Sequence, residues 1–258
     1  MRRFSSEEKE KIIRFRKEGN SLYQICRNLN VKFKNKSSVY YHLRKNFGRS
    51  FKLVKIDHSD QDAIGEIMGL FAADGSSVPQ SNYQVRFHLD KNEEAYAKEF
   101  AIILSKMFDK PPRLYDFQGK SITITYKSKL IYEFIKEYLN WNDKKTYTVL
   151  LRSLNHSKDF LIGFLRGYFD GDGYSKEDQR TAQFITTSKI MYNQLQEILS
   201  LLKLRFDSRV YHDKREGRHT AYYIILRRLE AVKFINLIQP RNSKRVKPWA
   251  CSITWPVH

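Results

Sequence analysis

The stretches GEIMGLFAADGS (Gly65–Ser76) and GFLRGYFDGDGY (Gly163–Tyr174) share the pattern G-x-x-x-G-x-x-[AD]-[AG]-D-G at an offset of 98 residues. Glycines four apart lie on one face of a helix, where the missing side chain lets a neighbouring backbone come close. The repeat therefore predicts two helices, one per copy, that pack against each other almost backbone to backbone. Each helix is expected to end at its last glycine, Gly75 or Gly173, as a C-cap.

The same pattern places Asp74 and Asp172 at the two predicted helix ends. An anion is disfavoured there because the helix dipole is negative at the C-terminus and the two acids repel each other. A divalent cation between them would remove the conflict, since carboxylates and backbone carbonyls are the oxygen ligands that Mg²⁺ prefers. The alternative is two ordinary helix ends with Asp-Gly turns, and two matched eleven-residue patterns argue against it.

The segments after the two stretches also correspond. Each copy continues with a strand-like segment, a helix, two strands around a glycine-containing turn, and a closing helix. The segments are YQVRFHLD, NEEAYAKEFAIILSKMF, RLYDFQGKSITITY and SKLIYEFIKEYL in the first copy, and TAQFITTS, KIMYNQLQEILSLL, RFDSRVYHDKREGRHTAYYIILR and EAVKFINLI in the second. We predict an α+β fold with two pseudo-symmetric repeats, at residues 61–155 and 156–258.

The amino-acid composition of the chain indicates which kind of partner it binds. The 258 residues contain 47 Lys and Arg against 28 Asp and Glu, a net charge of +19 that attracts polyanions. The alternative is a merely basic protein without such a partner. No apolar run is long enough for a membrane span, and the N-terminus has no secretory apolar core. Cys26 and Cys251 are far apart without a CxxC motif, so we expect a reducing intracellular compartment rather than secretion.

The basic surplus is concentrated in residues 1–50, which hold 14 Lys and Arg against 4 Asp and Glu. Three short helices are predicted there, in FSSEEKEKIIRFRKEG, LYQICRNL and SVYYHLRKNF, and residues 51–60 are predicted to be a linker. The arrangement resembles a helix-turn-helix DNA-binding domain, although small trihelical bundles are common. Exposed DNA-binding candidates on the third helix are Ser38, Tyr41, His42 and Lys45, with Tyr40 or Tyr41 in the core as the alternative.

Residues 60 to 250 resemble the two-repeat LAGLIDADG homing endonucleases, because IMGLFAADG (Ile67–Gly75) and LRGYFDGDG (Leu165–Gly173) stand where the nine-residue family motif would. The resemblance implies a DNA-binding saddle of antiparallel sheets around the two motif helices. It also implies that the catalytic metal ligands, for Mg²⁺ or another divalent cation such as Mn²⁺, are Asp74 and Asp172, assisted by the backbone carbonyls of Ala73 and Gly171. Asp170 is expected to be a capping or helix-end residue, since Ala72 takes its place in the first repeat.

The resemblance further implies polar or basic residues near the metals, at the end of the first strand after each motif. These positions hold Asp90, Lys91, Thr186 and Thr187, whereas the family often has glutamine and lysine there. The last strand of each repeat ends with a basic residue that would complement charge on the phosphate in the transition state. The predicted basic catalytic residues are Lys91, Lys127 and Arg227, and a solvated surface position is the alternative for each.

The sheet faces are expected to contact DNA through alternate side chains of each strand. Other such residues would meet only phosphates. The candidates are Gln84, Arg86, His88, Lys120, Thr123, Thr125, Arg180, Gln183, Arg209, Tyr211, Arg215 and Arg218.

These features predict an intron-encoded type of homing endonuclease, which cuts a specific double-stranded DNA site by metal-dependent phosphodiester hydrolysis and leaves staggered ends. We expect it to act as a monomer, free-standing rather than embedded in a self-splicing intein. The alternative is a catalytically silent protein of the same fold, either a DNA-binding transcription regulator or a maturase that binds intron RNA. Cleavage that depends on a metal ion would indicate the endonuclease, whereas binding that needs no metal and leads to no cleavage would indicate the catalytically silent protein.

Overall fold

The computed structural model describes residues 3–48, 54–142, 144–176, 180–212 and 219–246. Its N-terminal part is built from three helices, α1 (Ser6–Lys17), α2 (Leu22–Asn28) and α3 (Ser37–Phe47). Ser5 and Ser21 form capping boxes at the starts of α1 and α2, where their hydroxyls accept from backbone N–H groups three residues on.

Apolar side chains at helical spacing bury the core of these three helices. Ile12, Ile25 and Val39 are inaccessible to solvent. The alternative that Tyr40 or Tyr41 belongs to this core is wrong, because both rings are exposed.

The first repeat follows the predicted order of elements. It contains α4 (Gln61–Asp74), β1 (Gly75–Val78), β2 (Gln84–Asp90), α5 (Glu94–Met107), β3 (Arg113–Phe117), β4 (Ser121–Lys127) and α6 (Lys129–Tyr138). Its four strands form a sheet in the order β1-β2-β4-β3. Tyr115 lies opposite Thr123 in the antiparallel β3–β4 pair, and Gly119 takes φ +67° in the turn between them.

The second repeat has the same order after a short connection. The connection holds β5 (Leu139–Asn140), α7 (Lys145–Thr148) and β6 (Leu150–Leu151). The repeat contains α8 (Lys158–Asp172), β7 (Gly173–Lys176), β8 (Thr181–Thr186), α9 (Lys189–Leu201), β9 (Asp207–Tyr211), β10 (Ala221–Arg227) and α10 (Arg228–Ile238). Its sheet order, β7-β8-β10-β9, matches that of the first repeat. The predicted α+β architecture is therefore confirmed.

The glycine faces of α4 and α8 touch as the sequence predicts. A Cβ placed on Gly65 would lie 2.8 Å from the backbone nitrogen of Phe164, and one on Gly167 would lie 2.7 Å from that of Leu70. Both positions would also overlap a backbone carbonyl of the facing helix. Only glycine permits this separation of the two helices.

Gly75 and Gly173 end the two helices as predicted, but not in the left-handed conformation that a glycine C-cap commonly adopts. Their φ angles are −83° and −74°, so the chain passes directly into the extended backbone of β1 and β7. Glycine is required there by space, because a Cβ would collide with the side chains of Phe71 and Phe169.

Each repeat encloses an aromatic core beneath its sheet. In the first repeat Phe71 meets Phe87 edge to face at 5.9 Å, and in the second Phe169 meets Phe184 at 5.6 Å. All four rings are buried. The correspondence extends the internal repeat from the sequence to the packing.

The chain forms two compact units, and both are discontinuous in sequence. The first comprises Met1–Lys55, Ser77–Val85 and Tyr126–Phe134; within it Leu130 packs against the core of the three N-terminal helices. The second comprises Ile56–Ser76, Arg86–Thr125 and Ile135–His258, and it contains the paired helices α4 and α8. The boundaries drawn from the sequence at residues 50, 60 and 155 stay a prediction. Among the described residues, no helix is long and apolar enough to cross a membrane.

Candidate active site

The C-terminal ends of α4 and α8 lie side by side and bring Asp74 and Asp172 together. A Cβ placed on Gly171 of α8 would lie 3.0 Å from Oδ2 of Asp74 and 2.6 Å from the Cβ of Ala73. Neither carboxylate accepts a hydrogen bond from any residue in the described part of the chain. Asp74 is half-buried and Asp172 is exposed, so both carboxylates remain accessible to a ligand from solvent.

The surroundings of the acid pair disfavour two negative charges. Desolvation by the surrounding protein and, after it, the charge of Asp172 raise the pKa of Asp74 to about 7 against the opposing effect of Lys145. Desolvation also raises the pKa of Asp172, opposed by Lys145 and Arg245. Desolvation is thus the main cause for both groups, and mutual repulsion adds to it at Asp74.

Lys145, at the start of α7, places its ammonium group against the end of α4. Its Nζ donates to the carbonyl oxygens of Phe71, Ala72 and Ala73 at 2.9, 2.7 and 3.0 Å. Burial lowers the pKa of Lys145 to about 8, and the charges of both acids oppose that decrease. The side chain therefore supplies a largely desolvated positive charge beside the pair.

Arg245 has the corresponding position at the end of α8. Its guanidinium donates to the carbonyl of Gly171 through Nη2, and to that of Asp170 through Nε at 3.2 Å. Lys145 and Arg245 each follow the closing helix of their repeat by seven residues, counted from Tyr138 and from Ile238. The sequence prediction missed both residues, and this shared spacing is the signal that could have found them.

A buried ionic cluster connects α4, α8 and the segment after α10. The Glu66 carboxylate, inaccessible to solvent, accepts from Nη1 of Arg166 at 3.0 Å and from Nε of Arg241 at 3.0 Å. Arg166 also donates to Asp62 at 2.5 Å. Burial raises the pKa of Glu66, and the two arginines oppose that increase. These ion pairs join the helices beside their glycine contact.

Asp170 belongs to the scaffold of the site. Its two carboxylate oxygens accept from the backbone nitrogens of Arg241 and Asn242 at 3.0 and 3.1 Å. Burial raises its pKa to about 7, and these two hydrogen bonds oppose the shift. Asp170 therefore accepts backbone hydrogen bonds, as a capping residue does. The backbone that it binds is the chain after α10, however, and not the end of its own helix.

The acid pair is suited to a divalent cation. Carboxylates and backbone carbonyls are oxygen ligands that such a cation prefers, although the described residues contain no cluster of three or more His, Cys, Asp and Glu that could hold a metal. The absence of a side chain at Gly171 permits the two helix ends to approach closely, because a Cβ there would collide with Ala73. The carbonyls of Ala73 and Gly171 already accept from Lys145 and Arg245, but a carbonyl oxygen has two lone pairs and can serve a second partner.

The other predicted catalytic residues form no hydrogen bond or ion pair with either acid in the described part of the chain. Lys91 pairs with Glu94 and Asp116, both at 2.9 Å. Arg227 pairs with Asp207 at 2.7 Å. Lys127 is exposed at the end of β4 and has no ion-pair partner among the described residues.

The polar strand-end positions serve local structure. Asp90 caps a short turn by accepting from the backbone of Asn92 at 2.8 Å, and it pairs with Lys244 at 3.3 Å. Thr186 is buried and accepts from the backbone of Ser188 at 3.1 Å. Thr187 is half-buried.

The predicted DNA-contacting residues of the first repeat divide by exposure. His88 is exposed and lies 2.8 Å from Oγ of Ser76 and 3.4 Å from that of Thr123. Partial desolvation of the ring, followed by the charges of Arg86 and Lys145, lowers the pKa of His88. Lys120 is exposed in the β3–β4 turn. Gln84 and Thr125 are buried, contrary to the exposed positions expected for them.

In the second repeat, three candidates share one face of the sheet. Gln183, Arg209 and Tyr211 line a cavity of about 340 Å³ together with Arg227. Gln183 itself is buried, contrary to the exposed position expected for it. Arg180 lies at the β7–β8 turn with φ +45° and is exposed. The predicted residues Arg215 and Arg218 lie outside the described part of the chain.

On α3 the expected exposure is found for two of four candidates. Tyr41 and Lys45 are exposed, and His42 is half-buried between the rings of Phe4 and Tyr41. Ser38 is buried, which corrects its prediction as an exposed residue.

Comparison with known proteins agrees with this fold. Residues 159–239, from α8 to the end of α10, match the LAGLIDADG-like domain family. The chain has the LAGLIDADG endonuclease-type fold. The crystal structure of I-DmoI in complex with DNA and Ca is similar with a TM-score of 0.55 and 14% identity, over 75% of this chain and 98% of that one. I-DmoI in complex with DNA and Mn gives a TM-score of 0.52 at 14% identity, over 70% and 97%.

A third similar structure is full-length DUF199/WhiA from Thermatoga maritima, with a TM-score of 0.51 and 13% identity over 74% of this chain and 59% of that one. Among curated proteins, the chain is 30% identical over 127 residues to the ATP-dependent DNA helicase Hel308 of Thermococcus kodakarensis, and 29% identical over 120 residues to the probable translation initiation factor IF-2 of Methanocaldococcus jannaschii. The matches span 48% and 44% of this chain but only 11% and 9% of those proteins.

Proposed function

We propose that this chain is a site-specific DNA endonuclease that hydrolyses one phosphodiester bond in each strand of a duplex, with Mg²⁺ or Mn²⁺ as cofactor. The observation that carries the proposal is the pair of adjacent carboxylates, Asp74 and Asp172, at the ends of the two paired helices, where desolvation raises the pKa of both. Perturbed acids of this kind are typical of catalytic sites.

Asp74 and Asp172 would hold the cation, with the carbonyls of Ala73 and Gly171 as further ligands. The bound cation supplies Lewis-acid chemistry, which activates water and offsets charge on the scissile phosphate. Close contact of the glycine faces sets the distance between the two helix ends, and Gly171 permits that contact beside Asp74 because a Cβ there would collide with Ala73.

Lys145 and Arg245 complete the positive side of this site. Their charges favour the ionised form of both acids, because an adjacent cation lowers a carboxyl pKa. The desolvated ammonium of Lys145 would also attract a phosphate more strongly than a solvated lysine could. The sequence predicted Lys91 and Lys127 as basic catalytic residues that complement charge on the phosphate in the transition state. We assign that role to Lys145 instead.

Binding of double-stranded DNA accounts for the excess of basic residues. The polar faces of the two sheets offer Arg86, His88, Arg209 and Tyr211 for contacts with bases or phosphates. The three N-terminal helices would act as a helix-turn-helix domain, with residues 1–50 as a domain before the two repeats. The chain would act as a single copy, since it contains both halves of the site.

The test is cleavage of a DNA library. The full chain is incubated with sheared genomic and randomised plasmid DNA, with Mg²⁺ or Mn²⁺ in one arm and EDTA in the other, and new ends are sequenced. We expect staggered double-strand ends at one sequence class, in the metal arms alone. The Asp74→Asn and Asp172→Asn double variant should bind DNA but not cut it.

Asp109→Asn is the matched control. Asp109 adopts φ +45°, a conformation that asparagine tolerates well, and its exposed position is remote in sequence from both motifs. This variant should cut like the wild-type chain. Cutting by the Asp74 and Asp172 double variant at the wild-type rate would refute the catalytic assignment.

A second candidate function is DNA binding without cleavage, as in a transcription regulator. The observation in its favour is that Lys145 and Arg245 already occupy one lone pair of each carbonyl expected to bind metal. Metal-independent binding with no cut ends in any arm would support this function. Tighter binding to intron RNA than to DNA in the same assay would instead favour a maturase.

A further inference from the structure

A groove lies between the last turns of α3 and the connection from β1 to β2. Tyr41, Arg44 and Lys45 line one wall, and residues 79–83 line the other. Its volume is about 420 Å³, and none of the residues that line it is acidic. Both walls belong to the same compact unit. The groove is therefore a basic, partly aromatic surface made from two distant segments of sequence.

Lys129, the first residue of α6, ties the two walls together. Its ammonium donates to the carbonyl of Lys45 at 2.5 Å, pairs with Glu133 at 3.2 Å and lies 5.8 Å from the centre of the Tyr83 ring. The positive charge also offsets the negative end of the α3 dipole, which would otherwise repel an anion there. The next residue, Leu130, packs against the core beneath α3.

The wall formed by residues 79–83 is held in an uncommon backbone conformation. Asn82 and Tyr83 have φ angles of +63° and +53°, and the Tyr83 nitrogen donates to the carbonyl of Pro79 at 3.0 Å. A left-handed tyrosine is rare because its Cβ crowds the backbone. The ring is supported by Tyr132, with 5.6 Å between ring centres. Such strain persists where packing enforces it, and it is concentrated at functional sites.

Two cations in the groove are available for a ligand. Neither the Arg44 guanidinium nor the Lys45 ammonium has an ion-pair partner among the described residues, and both side chains are exposed. With amide groups opposite the two cations, the lining matches a sugar–phosphate chain, whose anionic phosphate oxygens accept from both kinds of donor.

We propose that this groove binds the sugar–phosphate backbone of duplex DNA, at a position separate from the acid pair. The inference rests on the proposed DNA-binding function and extends it. Arg44 and Lys45 would neutralise phosphates, and Gln80 would donate to a phosphate oxygen from the facing wall. The three N-terminal helices would thus contact DNA through a surface that they share with the β1–β2 connection, rather than through α3 alone.

The test is the salt dependence of binding. Fluorescence anisotropy of a labelled 40-base-pair duplex is measured in EDTA with the full chain, from 50 to 300 mM KCl. The Arg44→Gln and Lys45→Gln double variant loses two phosphate contacts, so the slope of log K against log salt should become shallower by about 1.8. The control is Lys106→Gln with Lys203→Gln, which removes two charges from exposed lysines of the second unit and should leave the slope unchanged.

A second variant distinguishes a groove from a contact made by α3 alone. Gln80→Glu leaves both cations in place and puts a negative charge on the opposite wall, so it should weaken binding at least fivefold at 100 mM KCl. Gln196→Glu, on α9, adds the same charge elsewhere and should not. Equal effects of Gln80→Glu and Gln196→Glu would refute the two-walled groove.

The outcomes separate this inference from the proposed function. A wild-type chain that does not bind DNA at all would overturn both. Binding whose slope is the same in the Arg44 and Lys45 double variant would overturn the groove and leave the endonuclease proposal standing. An RNA duplex of the same length that competes better than DNA would overturn the assignment of DNA as the occupant. Thermal unfolding within 2 °C of wild type, on the order expected for surface changes, verifies that the variants fold.

Discussion

Replacement of Gly167 by alanine tests whether the backbone contact of α4 and α8 controls the site. A Cβ at Gly167 would lie 2.7 Å from the Leu70 nitrogen and would overlap the Glu66 carbonyl. The obstructing atoms are backbone atoms of a buried helix, so no side-chain rotation can relieve the clash. The two helices must move apart near the acid pair.

Two opposing contributions determine the size of the effect. Alanine is a better helix former than glycine by about 1 kcal/mol, whereas an overpacked core typically loses 1–3 kcal/mol and loses more when backbone must shift. We expect a net loss of roughly 2 kcal/mol in the free energy of unfolding. For a chain of this size that lowers the melting temperature by about 4–8 °C.

The effect on cleavage should exceed the effect on stability. Gly69 and Gly167 lie one turn nearer the acids than Gly65 and Gly163 do, so alanine at the first pair should displace the carboxylates more. A shift of about 1 Å can cost 100-fold in rate. Single-turnover cleavage and circular dichroism melting of all four variants would give the two rankings.

The control is Gly19→Ala, in the N-terminal helices. Gly19 has φ +91° and no neighbour within 4 Å, so alanine there costs about 1–2 kcal/mol in backbone strain but should not change the cleavage step. Wild-type stability together with wild-type cleavage in Gly167→Ala would refute the backbone contact. Stability losses in all four interface variants without a change in cleavage would refute its control of the acid pair.

Two further predictions concern buried charge. In metal-free buffer, folded Asp74 keeps a proton up to a pKa of about 7, whereas the unfolded chain releases it near 3.8. Stability therefore falls as pH rises from 4 to 7, by up to about 4 kcal/mol, and Asp74→Asn should remove that part of the slope in thermal melts at pH 5 and pH 8. Arg166→Met leaves buried Glu66 short of a partner and should cost about 3–5 kcal/mol in urea unfolding, of which the added Glu66→Gln change recovers part; equal losses in the single and double variants would contradict this reasoning.

The order of elements could be predicted because it depends on local signals. Apolar spacing and turn glycines identify helices and strands one at a time, and the repeat at an offset of 98 residues supports each assignment twice. The contact of α4 with α8 was also predictable, since two glycines on one helical face have few other uses in a buried helix.

The cations of the site were not predictable in this way. Lys145 and Arg245 lie in or beside segments with no strong periodicity, and tertiary packing brings them to helix ends about 75 residues away in sequence. By contrast, Lys91 is at a strand end as predicted, but Glu94 and Asp116 pair with it. Sequence position could identify which basic residues are near a strand end, but not which of them an acid neutralises.

The ion pairs beside the glycine contact favour the pairing of α4 with α8 over the pairing of α4 with a copy of itself. Glu66 of α4 meets Arg166 of α8, whereas the positions that correspond to them in the other helix hold Phe164 and Met68. An α4 helix that met a copy of itself would bury two glutamates with no arginine between them. During synthesis, Glu66 of the first repeat therefore has no arginine partner until Arg166 of the second repeat has been made, and its second partner, Arg241, is made later still. The charge of Glu66 therefore disfavours self-association of a nascent chain that contains only the first repeat. In the full chain the same charge pairs the first repeat with the second.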